Sequence, residues 1–226
     1  MKKVFFMIGV LLSYIYPYSL NKRLKSLFIF LYSTWLSRQF KFFKGQIKGI
    51  IRLRGPKYIS IGEGSRIEKD VQLLATDSSR GHDYIPEIII GKNSAIQRGC
   101  FISAINKIEI GDGVAVTDYT MILDNVHGDF RDDHFTFNEN PDIPDVFLQD
   151  LGKRELVSSG PVLIEDNVHI GMFSLILPKT HIGRNSVVAA HSVVSGRIPP
   201  YSLVAGNPAR IIMTFGKKKK SINQQN

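Results

Sequence analysis

The stretch IEDNVHIGMFSLILPKTHIGRNSVV, residues 164–188, decides how this chain folds. Ile164, Ile170, Ile176, Ile182 and Val188 recur at every sixth position, and Val194 continues the series. Four positions after each stands a small or β-branched residue: Val168, Ser174, Thr180, Ser186, Ser192 and then Ile198. Gly171 and Gly183 directly follow an aliphatic position, where a corner of the backbone needs a residue without Cβ. An amphipathic helix repeats near 3.6 residues and an open strand near 2, so a strict hexad fits neither. It fits a solenoid of very short strands joined by corners, each coil burying its aliphatic residues on the next. The pattern predicts a mainly β chain wound as a parallel β-helix.

Working outward, Ile61-Gly62 with Ser65 and Ile67 with Val71 form earlier rungs, and Leu73 starts another. Thr76 to Pro86 is polar and reads as an inserted loop. Ile90-Gly91, Ile96 and Ile102 make the next coil; Ile110-Gly111, Val116 and Ile122 follow after two extra residues at a corner. The ladder then breaks from Asp124 to Pro161, far beyond an ordinary connection, so this loop is functional or mobile. The expected organisation is a helical N-terminal segment over residues 1–50, a solenoid over 51–215 carrying the insertion 124–161, and a basic tail over 216–226.

The 226 residues suit one domain with an appendage, and the 19 glycines suit a corner-rich solenoid. A single cysteine excludes an internal disulfide framework and a cysteine-based zinc site. Cys100 falls four positions after Ile96 and is expected as a packed core thiol. The net charge of +9 points to an anionic partner, either phosphate-bearing ligands or a membrane surface. No recognition helix or RNA-binding aromatic motif accompanies that charge, so no nucleic-acid partner is expected.

Residues 1–50 stand outside the ladder. An apolar run from Val4 to Tyr16 is shorter than the ~20 residues that cross a bilayer. It resembles a signal-peptide core, but no small-x-small cleavage site follows. Leu24, Leu27, Phe28, Leu31 and Trp35 then fall at helical spacing, flanked by Lys22, Arg23, Lys25, Arg38, Lys41 and Lys44. Such a helix lies readily in an anionic membrane interface, and it can equally cap the open first coil.

The repeats Ile164-Glu165-Asp166-Asn167-Val168 and Ile182-Gly183-Arg184-Asn185-Ser186, with the closing Val204-Ala205-Gly206-Asn207-Pro208-Ala209-Arg210, resemble the hexapeptide-repeat acyltransferases. The closing motif is similar to the branch of galactoside, maltose and polysaccharide O-acetyltransferases. The resemblance covers roughly residues 57–215. It implies a left-handed helix, an exception to the usual right-handed crossover. It further implies acetyl-CoA as acyl donor, no metal, and a homotrimer with active sites between neighbouring subunits.

In that family the catalytic histidine opens the long loop, commonly within Asp-His-Asn-His-Gly. Here the motif reads Asp124-Asn125-Val126-His127-Gly128, retaining the last histidine and the leading aspartate. Imidazole suits the removal of a proton from an acceptor hydroxyl near neutral pH, which makes His127 the expected general base. Asp124 is expected either to orient that ring, to contact acceptor hydroxyls, or to cap a turn. His134 reads as an ordinary loop residue.

For the donor, the resemblance implies that the backbone N–H of Met172 meets the thioester carbonyl, where charge develops. Ala190 and Ser195 match positions along the coenzyme A channel. Arg210 matches an arginine beside the nucleotide phosphates, a task for which its planar fork is suited. Three residues depart from the family pattern: His169 for tryptophan, His191 for glycine and Gly196 for lysine, with Arg197 placed to restore the charge. The expected acceptor is a sugar, in a polysaccharide precursor or lipid-linked glycan at the inner face of the cytoplasmic membrane. Competing readings are acetylation of a small cytosolic hydroxyl such as serine or a free sugar, and a non-catalytic solenoid. The hexapeptide-repeat carbonic anhydrases are excluded, because no two of the six histidines have the His-x4-His spacing their zinc requires.

Overall fold

The computed structural model describes residues 7, 10, 18–128, 136–150 and 154–216. The chain winds into a left-handed parallel β-helix with three flat faces, sheets of seven, eight and six strands. Each coil contributes one short strand to each face in turn. In the fifth coil these are Val162–Ile164, His169–Ile170 and Leu175–Ile176 on the first, second and third faces. One coil on, Ile164 pairs with Ile182, Ile170 with Val188 and Ile176 with Val194, all in parallel register.

The hexad ladder is the core. Ile170, Ile176, Ile182, Val188 and Val194 are fully buried, as are Ile59, Ile61, Ile67, Ile90, Ile96 and Ile102 nearer the N-terminus. Burying each such side chain stabilises the fold by about 1.5–3 kcal/mol. The intervening small positions are filled by buried hydroxyls that bond to the neighbouring coil: Ser174 Oγ donates to Ala189 O at 3.1 Å and Ser186 Oγ to Pro199 O at 3.1 Å. These hydroxyls escape the cost of an unpaired buried polar group. Gly171 and Gly183 are required for a reason other than an unusual dihedral. A Cβ on Gly171 would stand 2.4 Å from Ala190 N, and one on Gly183 2.4 Å from Pro200 N. Cys100 is buried as expected, its Sγ–H directed at Thr117 O at 3.1 Å.

The solenoid begins earlier than the hexads indicate. Phe42–Phe43, Gln46–Ile47 and Arg52–Arg54 already pair in parallel with Ser60–Ile61, Arg66–Ile67 and Gln72–Leu74. Residues 42–50, expected outside the ladder, are therefore its first coil. The signal is thin there because Ile47 and Ile51 form a short run set among lysines.

Before that coil stands the helix α1 (Tyr18–Ser37). Its C-terminal end docks: Leu36 is buried, and Ser33 Oγ accepts the N–H of Ile47 at 3.2 Å. Leu20, Leu24, Leu27, Phe28, Leu31 and Trp35 are all exposed. At 100° per residue they fall within an arc of about 100°, away from the docked Leu36 and Ser33. Among the described residues no helix is long and apolar enough to cross a membrane. The apolar run Val4–Tyr16 and the tail Lys217–Lys220 lie outside the described residues, apart from Met7 and Val10.

Two insertions leave the solenoid from the same edge, where the third face turns into the first. One follows Ala75 and folds as an antiparallel hairpin, Ser78–Ser79 against His82–Asp83. The other follows Leu123 and starts with Val126–His127 paired antiparallel to Leu156–Val157. Within it, Asp145–Leu148 form a single helical turn. At the C-terminus, Ala209–Thr214 folds back on Ser202–Gly206 and extends the second face.

Candidate functional site

His127 projects from the edge between the third and first faces, with an exposed side chain. The antiparallel pairing with Leu156 fixes its backbone, and Gly128 N donates to Glu155 O at 2.9 Å. The first insertion forms a wall beside it. Arg80 Nη1 lies 3.4 Å from His127 Nδ1 and also donates to Arg154 O. His82 Nδ1 stands 3.3 Å from a Glu155 carboxylate oxygen, and the Tyr84 hydroxyl accepts the N–H of Leu156 at 3.3 Å. Between the insertions lies a cleft of ≈ 440 Å³ floored by Ile105 and Asn106. Residues 129–135, His134 among them, lie outside the described residues.

Asp124 is fully buried. Its carboxylate accepts N–H groups from Ile105 at 3.0 Å, Asn106 at 2.9 Å and the Asn125 side chain at 2.9 Å. Burial holds this carboxyl above the ordinary range, against the pull of those N–H donors. A carboxylate enclosed in this way does not reach an acceptor hydroxyl. Among the described residues no hydrogen bond joins it to His127. Of the roles left open by the sequence, the geometry is that of the turn cap, fixing the point at which the insertion departs.

The expected donor residues lie on two edges. Met172 and Ala190 line a groove of ≈ 470 Å³ on the second face, together with His169, Gln97, Thr117 and Val187. Among the described residues the backbone N–H of Met172 makes no hydrogen bond. The side chains of Tyr119, Phe173 and His191 run along this edge as a stack, with ring centroids 5.3 and 5.1 Å apart. His191, one of the departures from the family pattern, thus serves packing here. Ser195 follows the third face on the His127 side, and Arg197 starts a strand of the first face. Arg210 is exposed on the C-terminal hairpin, opposite Ala205. A single chain therefore brings Met172 and Ala190 together but leaves His127, Ser195 and Arg197 across the third face from them.

The sequence reading missed Arg80 and Tyr84. A signal was available: counting rungs puts Ala75 and Leu123 at the same corner, so both insertions leave from one edge. Among the described residues no three His, Cys, Asp or Glu side chains gather into a metal site.

A left-handed β-helix of hexad coils with a long inserted loop defines the class of fold. Residues 161–196 match the bacterial transferase hexapeptide (six repeats) family. WbbJ of Escherichia coli, whose name assigns it to lipopolysaccharide biosynthesis as an O-acetyl transferase, is 33% identical over 172 residues, 74% of this chain and 81% of WbbJ. The chain belongs to the hexapeptide-repeat transferase family and is an acyl-CoA-dependent acetyltransferase. Among solved structures, AntD, an N-acyltransferase from Bacillus cereus in complex with dTDP and 3-hydroxybutyryl-CoA, superposes with a TM-score of 0.60 at 23% identity, covering 80% of this chain and 86% of AntD. The hexapeptide-repeat acetyltransferase VCA0836 of Vibrio cholerae gives 0.53 at 24% identity, with 88% and 90% covered. At that identity the two likenesses concern the fold.

Proposed function

We propose that the protein transfers the acetyl group of acetyl-CoA to a hydroxyl of a sugar in a polysaccharide precursor or lipid-linked glycan, with His127 as general base. The observation that carries this reading is the exposed imidazole of His127, fixed by strand pairing at a solenoid edge beside a walled cleft. His127 takes the proton of the acceptor hydroxyl as its oxygen attacks the thioester carbon. The carbonyl oxygen gains negative charge and is met by the Met172 N–H. Collapse of the tetrahedral intermediate breaks the C–S bond, and the coenzyme A thiolate recovers a proton from the His127 imidazolium. Ala190, Ser195 and Arg197 flank the donor, and Arg210 holds its phosphates.

The active unit of this proposal is a homotrimer. The third face spans four to five extended residues, on the order of 15 Å. That exceeds the roughly 9 Å chain of three contacts from base to hydroxyl to thioester to amide, given about 3 Å for each. His127 of one chain therefore works with Met172 of another. The third face between them presents Phe101, Met121, Leu123, Leu175 and Val193 outward, an apolar surface suited to a neighbouring subunit.

We place this trimer against the anionic inner face of the cytoplasmic membrane, through the exposed apolar stripe of α1 and its flanking Lys22, Arg23 and Lys25. There it would meet a lipid-linked acceptor. The test compares acetyl-CoA turnover with lipid-linked oligosaccharides, free sugars and serine, in wild type and His127→Ala. Turnover confined to serine or free sugars would replace the acceptor assignment, and an unaffected His127→Ala enzyme would remove the base.

A further inference from the structure

The acetyl-transfer chemistry above makes no use of the first insertion. We propose that Arg80, at its tip, reads the acceptor: its guanidinium takes up an oxyanion, phosphate or carboxylate, that the acceptor carries near the hydroxyl deprotonated by His127. The inference rests on the assignment of His127 as the base.

The backbone is the first support. Ser79 pairs with His82, so Arg80 and Gly81 alone make the turn. Their φ angles are 55° and 84°, both in the left-handed region of a type I′ turn. The first position of that turn favours Asn, Asp or Gly, and a long side chain there is sterically disfavoured. The hairpin is nevertheless held rigidly at several points. Arg54 Nη2 donates to Ser78 O at 2.7 Å, and His82 and Tyr84 contact Glu155 and Leu156. A strained residue on a fixed frame, aimed at the catalytic ring, is the kind of position where strain serves function.

Charge is the second support. Lys41, Lys57, Arg98 and Lys107 each lie within 4.0 Å of a carboxylate. Among the described residues Arg80 has no such partner, although its guanidinium is always charged. Among the described residues both of its contacts use Nη1, which leaves the rest of the fork without a described partner and suited to an oxyanion.

The third support is the ring itself. A guanidinium has donors only, so its approach to Nδ1 keeps that nitrogen as the acceptor and puts the ring proton on Nε2. A ring held in that tautomer cannot accept a proton at Nε2. An oxyanion that draws Arg80 away lets Nδ1 carry the proton and leaves Nε2 as the base. The same anion thus places the acceptor and readies His127, and a neutral acceptor does neither.

The experiment titrates the full-length protein with inorganic phosphate, and separately with glucuronate, while following the ring nitrogens of His127 by ¹⁵N NMR. His127→Gln assigns the signal. The expected result is a saturable response in wild type that weakens at least tenfold in Arg80→Gln and is partly kept in Arg80→Lys. Response to phosphate alone marks a phosphorylated acceptor, and response to glucuronate alone a uronic one. A silent wild-type ring, or equal responses in wild type and Arg80→Gln, overturns the proposal. Activity of His127→Ala is measured in parallel. Full activity sinks the base itself, whereas an inactive variant beside a silent wild-type ring sinks only the role of Arg80.

Discussion

The carboxylate of Asp124 accepts the backbone N–H of Asn106 at 2.9 Å, tying the residue where the long insertion departs to the corner one coil below. The same carboxylate takes the N–H of Ile105 and the amide of Asn125, and all of this lies three residues before His127. The position of the proposed base is therefore set by a buried hydrogen-bonded corner as well as by the loop that carries it. Asp124→Ala leaves the buried Ile105 N–H without an acceptor and should cost about 1–3 kcal/mol. Asp124→Asn keeps one acceptor oxygen and should fall between the variant and wild type. Urea unfolding checks the stability, and a parallel fall in kcat with unchanged KM for acetyl-CoA checks the positioning of His127.

His127→Ala should lower kcat by about 10²–10⁴-fold, the usual contribution of general-base catalysis. Affinity for acetyl-CoA should stay within about twofold, because the proposed role puts the imidazole on the acceptor side. Single-turnover kinetics together with a direct binding measurement separate the two. Equal losses in binding and turnover would show that the loop shapes the donor site instead.

The proposed sharing of the site between chains gives a complementation test. Met172 precedes Phe173, whose φ is 57°, so it occupies a turn position that tolerates proline. Met172→Pro should therefore delete the N–H while keeping the corner. Homotrimers of Met172→Pro or of His127→Ala should both be poorly active. Mixed trimers, formed by co-expression, should recover activity at the interfaces that join an intact His127 to an intact Met172. Absence of any recovery in trimers shown by mass spectrometry to be mixed would place the two groups within one chain.

What could be read from the sequence followed the range of the interactions. The rungs from Ile59 onward were legible because each buried aliphatic is fixed by a local spacing of six, and the inserted loops were legible as gaps in it. The first coil was signalled only by one short run, Ile47 with Ile51 four and Leu53 six positions on, set among basic residues that read as part of the N-terminal segment. The approach of Arg80 to His127 joins residues 47 positions apart, and it arises only because the two insertions leave the same edge with a single coil between them. The burial of Asp124 was invisible for a similar reason: its partners Ile105 and Asn106 belong to the preceding coil.

The second insertion carries its own carboxylate clasp, whose pH dependence can be tested. Asp145 accepts N–H groups from Asn138 at 2.9 Å and Glu139 at 3.1 Å, and the Thr136 hydroxyl at 2.7 Å. These donors, the Glu139 N–H foremost, hold its carboxyl at about 2. A depressed carboxyl contributes order that is complete above the unfolded value of about 3.9 and is lost as pH falls towards the folded one. Amide exchange at Asn138 and Glu139 should be slower in wild type than in Asp145→Asn at pH 6, and the two should converge as pH falls through and below about 2. Equal exchange at pH 6 would mean that the clasp does not order the segment in solution.

The last prediction concerns the apolar stripe of α1. Removing residues 1–44 is a poor test, because the cut also takes Phe42 and Phe43 from the first coil and Leu36 and Phe40 from the core. Substitution on the exposed face avoids this. Leu27, Phe28 and Trp35 are 54%, 57% and 63% exposed, so Leu27→Glu, Phe28→Glu and Trp35→Glu together should leave the fold intact. Wild type should co-sediment with phosphatidylglycerol-containing vesicles, less with neutral ones, and less again at high salt, since each nearby Lys or Arg adds ~1 kcal/mol that salt screens. The triple variant should lose at least tenfold in vesicle affinity while keeping its trimer and its turnover of a water-soluble acceptor. The stripe instead covers a neighbouring subunit if the full-length protein ignores anionic vesicles at low salt and the triple variant dissociates in sedimentation.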